Sequence, residues 1–171
     1  LSHLSEQELI RREKLTKLQA AGIDPFPAAL YPVSHFSTEI KANYTEETKE
    51  QFAQVCVAGR IMSMNDKGKV CFIKIQDSKG IIQLYVRRDD IYPDEDKSMW
   101  DTLVKQGLDL GDIIGATGYG FITKTGETSI HAQTITLLTK SLKPLPVVKR
   151  DSTNQFLQKK LPIVFSKVNR S

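Results

Sequence analysis

The sequence contains no apolar run approaching the roughly 18 residues that a membrane-spanning helix needs, so no segment is expected to cross a bilayer. Cysteine is nearly absent. Cys56 and Cys71 are the 2 thiols, and both fall inside apolar, strand-like stretches. Two thiols exclude a disulfide scaffold or a thiolate zinc cluster and suit a reduced, cytoplasmic protein. The opening Leu1-Ser2-His3, followed early by acids, does not resemble a secretory signal. Histidine is scarce, and neither His3, His35 nor His131 lies in a nucleophile motif with Ser or Cys. No Gly-x-x-x-x-Gly-Lys phosphate loop is present. The acids of Asp89-Asp90 and Asp94-Glu95-Asp96 lack calcium-loop spacing and read as a solvated loop. The expectation is therefore no catalytic residue and no metal site in this chain, and a binding function instead.

What is present is length for one domain with appendages: 171 residues, 40% hydrophobic and 26% charged. The net charge of +4 suggests an anionic partner, but its distribution matters more. Residues 140–171 hold eight bases and one acid, leaving 16 bases against 19 acids in residues 1–139. The body is slightly acidic, and the positive excess lies in the C-terminal stretch.

Ser5 and Glu8 form a Ser-x-x-Glu capping box, and Leu9, Ile10, Leu15, Leu18 and Ala21 recur at helical spacing. A helix is expected to end near Gly22. Arg11, Arg12, Lys14 and Lys17 crowd its other positions. The default reading is a solvated face; the alternative is a face that tracks phosphates. Pro25, Pro27 and Pro32 then force an extended connector, pinned to the body by Phe26, Tyr31 and Phe36. Residues 38–50 suit a short helix or two.

From Val55 the texture becomes that of short strands. Val55–Met62, Val70–Asp77 and Ile81–Val86 read as strands, separated by turn chemistry at Asn65–Gly68 and Ser78–Gly80. Asp89–Gln106 is helical in its later half. Ile113–Thr123 and Ser129–Leu138 are two further strands, joined by a turn at Thr125-Gly126. Five short strands with a helix between the third and fourth predict a mainly β, five-stranded OB-fold barrel, with an SH3-like barrel the nearest rival. Gly59 and Gly118 suit the bends of a small closed barrel. The expected organisation is a helix and connector over 1–50, the barrel over 51–149 and a basic tail over 150–171.

In such a barrel the second and third strands carry the ligand face. Strand parity sets Cys71, Ile73 and Ile75 toward the core, so Phe72 shares the outer face with Lys74 and Gln76. In the third strand Gln83 and Tyr85 share a face opposite Ile82, Leu84 and Val86. An aromatic on a polar face is a candidate platform for a nucleic-acid base; alternatively Phe72 covers a barrel seam. Arg60 in the first strand and Glu127 after the last turn are further candidates.

Several stretches together resemble the N-terminal region of bacterial-type class II lysyl-tRNA synthetases. They are Leu4–Glu8 with Arg11-Arg12, Gly22-Ile23-Asp24-Pro25-Phe26-Pro27, Val57–Met62, Phe72 with Gln76-Asp77, and Gly80 with Ile82–Val86. Asp109-Leu110-Gly111-Asp112, Thr123–Glu127 with Ser129-Ile130-His131, and Leu142-Lys143-Pro144-Leu145-Pro146 complete the set. Aspartyl and asparaginyl relatives share the Phe and Gln but lack the Pro-Phe-Pro entry and the Leu-Lys-Pro-Leu-Pro exit.

The resemblance implies binding of a tRNA anticodon loop. In that family the aromatic matching Phe72 stacks on the central uridine, the glutamine matching Gln83 hydrogen-bonds it, and the glutamate matching Glu127 helps read a neighbouring base. With Arg60, Asn65, Lys74, Tyr85 and His131 these form the candidate anticodon-binding set. Family members carry an arginine pair after the first strand where this chain has Met64 and Asn65. The resemblance further implies a parent enzyme that uses ATP and Mg2+, a catalytic domain not represented here, and a homodimer in which the Tyr31–Phe36 connector and Trp100 offer apolar contacts. The stretch after Lys149 does not follow the family pattern. The alternatives are a stand-alone single-strand RNA or DNA binder, the anticodon domain of an aspartyl- or asparaginyl-type synthetase, and a protein-interaction or dimerisation module.

Overall fold

A computed structural model describes residues 4–144, and the expected tail over 150–171 lies outside the described residues. Helix α1 (Glu6–Ala20) begins with the predicted capping box: Ser5 Oγ accepts from Glu8 N, and the Glu8 carboxylate accepts from Ser5 N. It ends before Gly22, whose φ of 85° only glycine adopts readily. Helix α2 (Ser37–Asn43) follows the connector and is capped from below by Asp77. The Asp77 carboxylate accepts from Ser37 N at 2.6 Å and Ser37 Oγ at 2.8 Å, and also from the backbone of Lys79 and Gly80.

The barrel strands are β1 (Val55–Asp66), β2 (Val70–Gln76), β3 (Ile81–Arg87), β4 (Ile113–Ile122) and β5 (Thr128–Thr139). They close in the order β1-β2-β3-β5-β4. All neighbours are antiparallel except β3 and β5, which pair in parallel over three residues. Between β3 and β4 lie a single turn, α3 (Arg88–Ile91), and a helical segment, α4 (Ser98–Trp100), that widens into a π-type turn over Asp101–Lys105. This is the expected OB-fold architecture.

The core matches the parity argument. Cys71, Ile73, Ile75, Ile82, Leu84 and Val86 are all buried, and Ile61, Ile114 and Ile130 meet them from the other strands. Burial holds the Cys71 thiol up at about 11, so it is an inert core group. Gly59 and Gly118, expected at bends, serve close approach between strands: a Cβ at Gly118 would lie 2.0 Å from the His131 carbonyl oxygen, and one at Gly59 2.7 Å from that of Gln76.

Three expectations are corrected. First, the cationic face of α1 is only half solvated. Arg11 is buried and its Nη1 donates to the carbonyls of Leu110 and Ser141, while Lys14 pairs with Asp109 at 2.7 Å. Arg12 and Lys17 remain outward. Second, of the connector aromatics only Tyr31 is fully buried, against the bare backbone of Gly115; Phe26 stays 41% exposed. Third, Trp100 is 1% exposed inside the core, with Nε1 directed to the Gly68 carbonyl, and offers nothing to a partner.

Arg11 and Lys14 belong to a buried charge cluster that locks α1 to the end of β5. Lys140 Nζ, 1% exposed, contacts Asp109 Oδ2 at 2.6 Å and Asp112 Oδ2 at 2.5 Å, and the Ser141 N–H donates to Asp112 Oδ1. Burial opposes ionisation of Asp109, but hydrogen bonds from Lys14 and Lys140 prevail and hold its carboxyl below the ordinary value. Removing one partner of such a cluster leaves an uncompensated buried charge. Lys140→Met should lower the unfolding free energy by about 3 kcal/mol in urea titration, and adding Asp112→Asn should recover part of that loss.

Candidate nucleic-acid interface

The strand register sets two transverse rows on the outer face. One runs Ser63–Lys74–Gln83–Ser129–Phe121, from β1 through β2, β3 and β5 to β4. The other, one pleat further along, runs Asn65–Phe72–Tyr85–His131–Tyr119 across the same strands. The first row is mostly polar, the second mostly aromatic. Both lie outward because their in-strand neighbours fill the core.

The β1 end of both rows depends on a bulge. Register shifts between Ile61 and Ser63, so Met62 has no partner on β2. Without the extra residue, Ser63 would share the inward side of Ile61. With it, Ser63 and Asn65 face outward and Met64 packs against the core. Met64 is thus structural in this chain, and Asn65 reaches the surface within β1 rather than in a loop.

These rows floor a groove of about 670 Å³, lined among others by Asn65, Phe72, Lys74, Gln83, Tyr85 and Glu127. Six of the predicted residues therefore meet in one place. Phe72 and Tyr85 are half-buried, with ring centroids 5.4 Å apart in an edge-to-face arrangement that braces both rings. Gln83 Nε2 donates to Ser129 Oγ at 3.2 Å, leaving the side-chain carbonyl and one N–H for a ligand. The β4–β5 turn forms one wall. Gly126 takes φ 88°, its N–H donates to the Thr123 carbonyl, and the Glu127 N–H donates to Thr123 Oγ1. Glu127 is held by this turn and lies 3.8 Å from Lys74 Nζ across the groove. Both side chains are over a third exposed, so that pair is solvent-screened and worth at most about 1 kcal/mol. It leaves both groups available to a ligand.

Two predicted residues stand apart. Arg60 does not line the groove. It precedes the bulge, opposite Gln76 and Ile113, is 5% exposed, and burial lowers its pKa. Its alternation with the outward residues is broken by Met62, which strand parity alone does not reveal. His131 lies beside the groove: its ring is 5.0 Å from that of Tyr85, and Nε2 is 2.6 Å from Asp90 Oδ2.

Sequence reasoning missed Phe121, Ser63, Ser129 and the turn residues Thr123–Thr125. Phe121 lines the groove with its ring 5.7 Å from Tyr85. The alternation Gly118-Tyr119-Gly120-Phe121 was the available signal, since glycines facing the packed side leave the aromatics outward. Among the described residues no group of three His, Cys, Asp or Glu side chains could hold a metal ion, and no helix is long and apolar enough to cross a membrane.

Comparison with known proteins agrees with the fold. Residues 55–138 match the family described as OB-fold nucleic acid binding domain, of the tRNA anti-codon type. The chain is 50% identical over 153 residues to the lysine–tRNA ligase of Porphyromonas gingivalis, covering 90% of this chain and 26% of the relative. It is 50% identical over 146 residues to that of Azobacteroides pseudotrichonymphae, covering 85% and 29%. The Enterococcus faecalis lysine–tRNA ligase is 41% identical over 174 residues, covering 98% and 34%. That last alignment carries the likeness past residue 149. The chain spans only about a quarter to a third of the length of these relatives. The barrel belongs to the OB-fold nucleic-acid-binding domain family, in the form that lysine–tRNA ligases carry.

Proposed function

We propose that this chain grips the anticodon loop of a lysine-accepting tRNA, as part of a lysine–tRNA ligase. The observation that carries the reading is the juxtaposition of Phe72, Gln83 and Glu127 around one groove, on a barrel whose relatives are lysine–tRNA ligases. Phe72, braced by Tyr85, supplies a face on which the central uracil stacks. The free amide carbonyl and N–H of Gln83 match the adjacent donor and acceptor on a uracil edge. Glu127 accepts from a neighbouring base, while Lys74 and Asn65 line the backbone path. His131 acts by fixing Tyr85. Lysine activation, with ATP and Mg2+, is assigned to the remainder of the parent ligase, so this chain alone carries no aminoacylation activity. The parent is read as a cytoplasmic homodimer.

Two measurements test the reading. An anticodon stem-loop bearing UUU should bind the chain more tightly than one with the central base changed. Equal affinity with a steep salt dependence would instead indicate a general single-strand binder. Phe72→Ala should weaken the UUU stem-loop by ~1–3 kcal/mol, the scale of one base stack; unchanged affinity would remove Phe72 from the site.

Position 65 gives a gain-of-function test. Asn65 is exposed beside Phe72 and stands where the family carries an arginine. Asn65→Arg should strengthen stem-loop binding by ~1–3 kcal/mol, the scale of a hydrogen bond to a charged group. The salt dependence should steepen by about one released counterion if the contact is to phosphate.

A further inference from the structure

The aromatic row does not stop at the groove. Beyond Tyr85 it continues through His131 on β5 to Tyr119 on β4, and neither residue lines the groove. Successive ring centroids along Phe72–Tyr85–His131–Tyr119 are 5.4, 5.0 and 4.8 Å apart. The row crosses three strand intervals of about 4.8 Å each, so its ends are about 14 Å apart, wider than one base.

The far end is built differently from the near end. Tyr119 lies nearly parallel to His131, at an interplanar angle of 18°, whereas the other contacts along the row are tilted or edge-on. His131 is itself fixed: its Nε2 is 2.6 Å from Asp90 Oδ2, and Arg87 Nη1 lies 3.6 Å from Asp90 Oδ1. Tyr119 is 37% exposed, so the stack has one open side. The backbone cannot turn it inward. A Cβ at Gly118 would strike the His131 carbonyl, and one at Gly120 would lie 2.8 Å from the Tyr44 ring. A large aromatic held flat on a fixed imidazole, with one side open beside a nucleic-acid groove, has the form of a stacking platform. Arg87, about half-exposed, flanks it with a cation suited to phosphate.

We infer that Tyr119, backed by His131, forms a second stacking subsite that takes a loop nucleotide lying outside the base triplet held in the groove. The inference rests on the anticodon-loop reading above and extends it by one ribonucleotide contact. The groove reads bases, and the Tyr119 subsite binds any base, because it offers a ring face without a hydrogen-bonding partner set for an edge.

The test compares two RNA probes on the full chain: the trinucleotide UUU and the complete UUU stem-loop. Tyr119→Ala should weaken stem-loop binding about tenfold and leave trinucleotide binding unchanged, while Tyr119→Phe should keep stem-loop affinity. Phe72→Ala should weaken both probes. Wild-type stem-loop affinity in Tyr119→Ala, with Phe72→Ala still impaired, would overturn the subsite and leave the groove reading intact. Equal loss on both probes would overturn it too, by showing that Tyr119 acts only through the groove. If neither variant affects either probe, the anticodon reading itself fails. A thermal melt of each variant separates lost binding from lost folding.

Discussion

Closure of the sheet rests on a parallel pairing of three residues, Gln83, Leu84 and Tyr85 of β3 with Ser129, Ile130 and His131 of β5. All other strand pairs are longer and antiparallel. The central pair, Leu84 with Ile130, is fully buried, and each such side chain contributes roughly 1.5–3 kcal/mol of burial. The outer pairs supply the site: Gln83 donates to Ser129, and Tyr85 packs on His131. A residue of slippage at this seam would exchange the two sets, placing Gln83 and Tyr85 in the core. The groove is therefore as rigid as the barrel, and the closure that removes the sheet edge also assembles the ligand face.

This arrangement explains how a slightly acidic body can serve an anionic ligand. The side chains around the groove include Lys74 and Lys124, with Glu127 opposing Lys74. Such a surface supplies little long-range attraction. What it supplies is oriented: a braced ring and an amide with two open hydrogen-bonding groups. Stacking and edge recognition depend weakly on salt, whereas phosphate contacts depend on it strongly.

Much of this was legible in the sequence because it follows from period two. Ile, Leu and Val at alternate positions of β2 and β3 left Phe72, Lys74, Gln83 and Tyr85 no side but the outer one. The β1 residues were less legible because one unpaired residue, Met62, reverses the alternation after it and exposes Ser63 and Asn65, while Arg60, before the bulge and opposite Ile113 of β4, is buried independently of it. Nothing in the composition of Arg60-Ile61-Met62-Ser63 marks the bulge; it arises from how β1 fits both β2 and β4. Phe121 and Tyr119 were overlooked for a related reason. The row they join reaches them from Tyr85 on β3, far away in sequence, through the parallel β3–β5 seam.

The burial of cations on α1 has the opposite origin. Charged residues on an amphipathic helix are solvated by default, because burying a charge without a partner costs several kcal/mol. Arg11 and Lys14 escape that rule because their partners come from elsewhere: carbonyls of Leu110 and Ser141, and the carboxylate of Asp109. The same carboxylate and that of Asp112 hold Lys140 at the end of β5. Asp109 and Asp112 thus balance Lys14 and Lys140, while Arg11 is held by backbone carbonyls alone. Their effect is positional. They fix α1 against the loop before β4 and set the path of the chain through Ser141, so the groove has a fixed orientation relative to that helix. Arg11 and Lys14, which as helix-face cations looked available to phosphate, are thus committed to holding the domain together, while Arg12 and Lys17 stay outward.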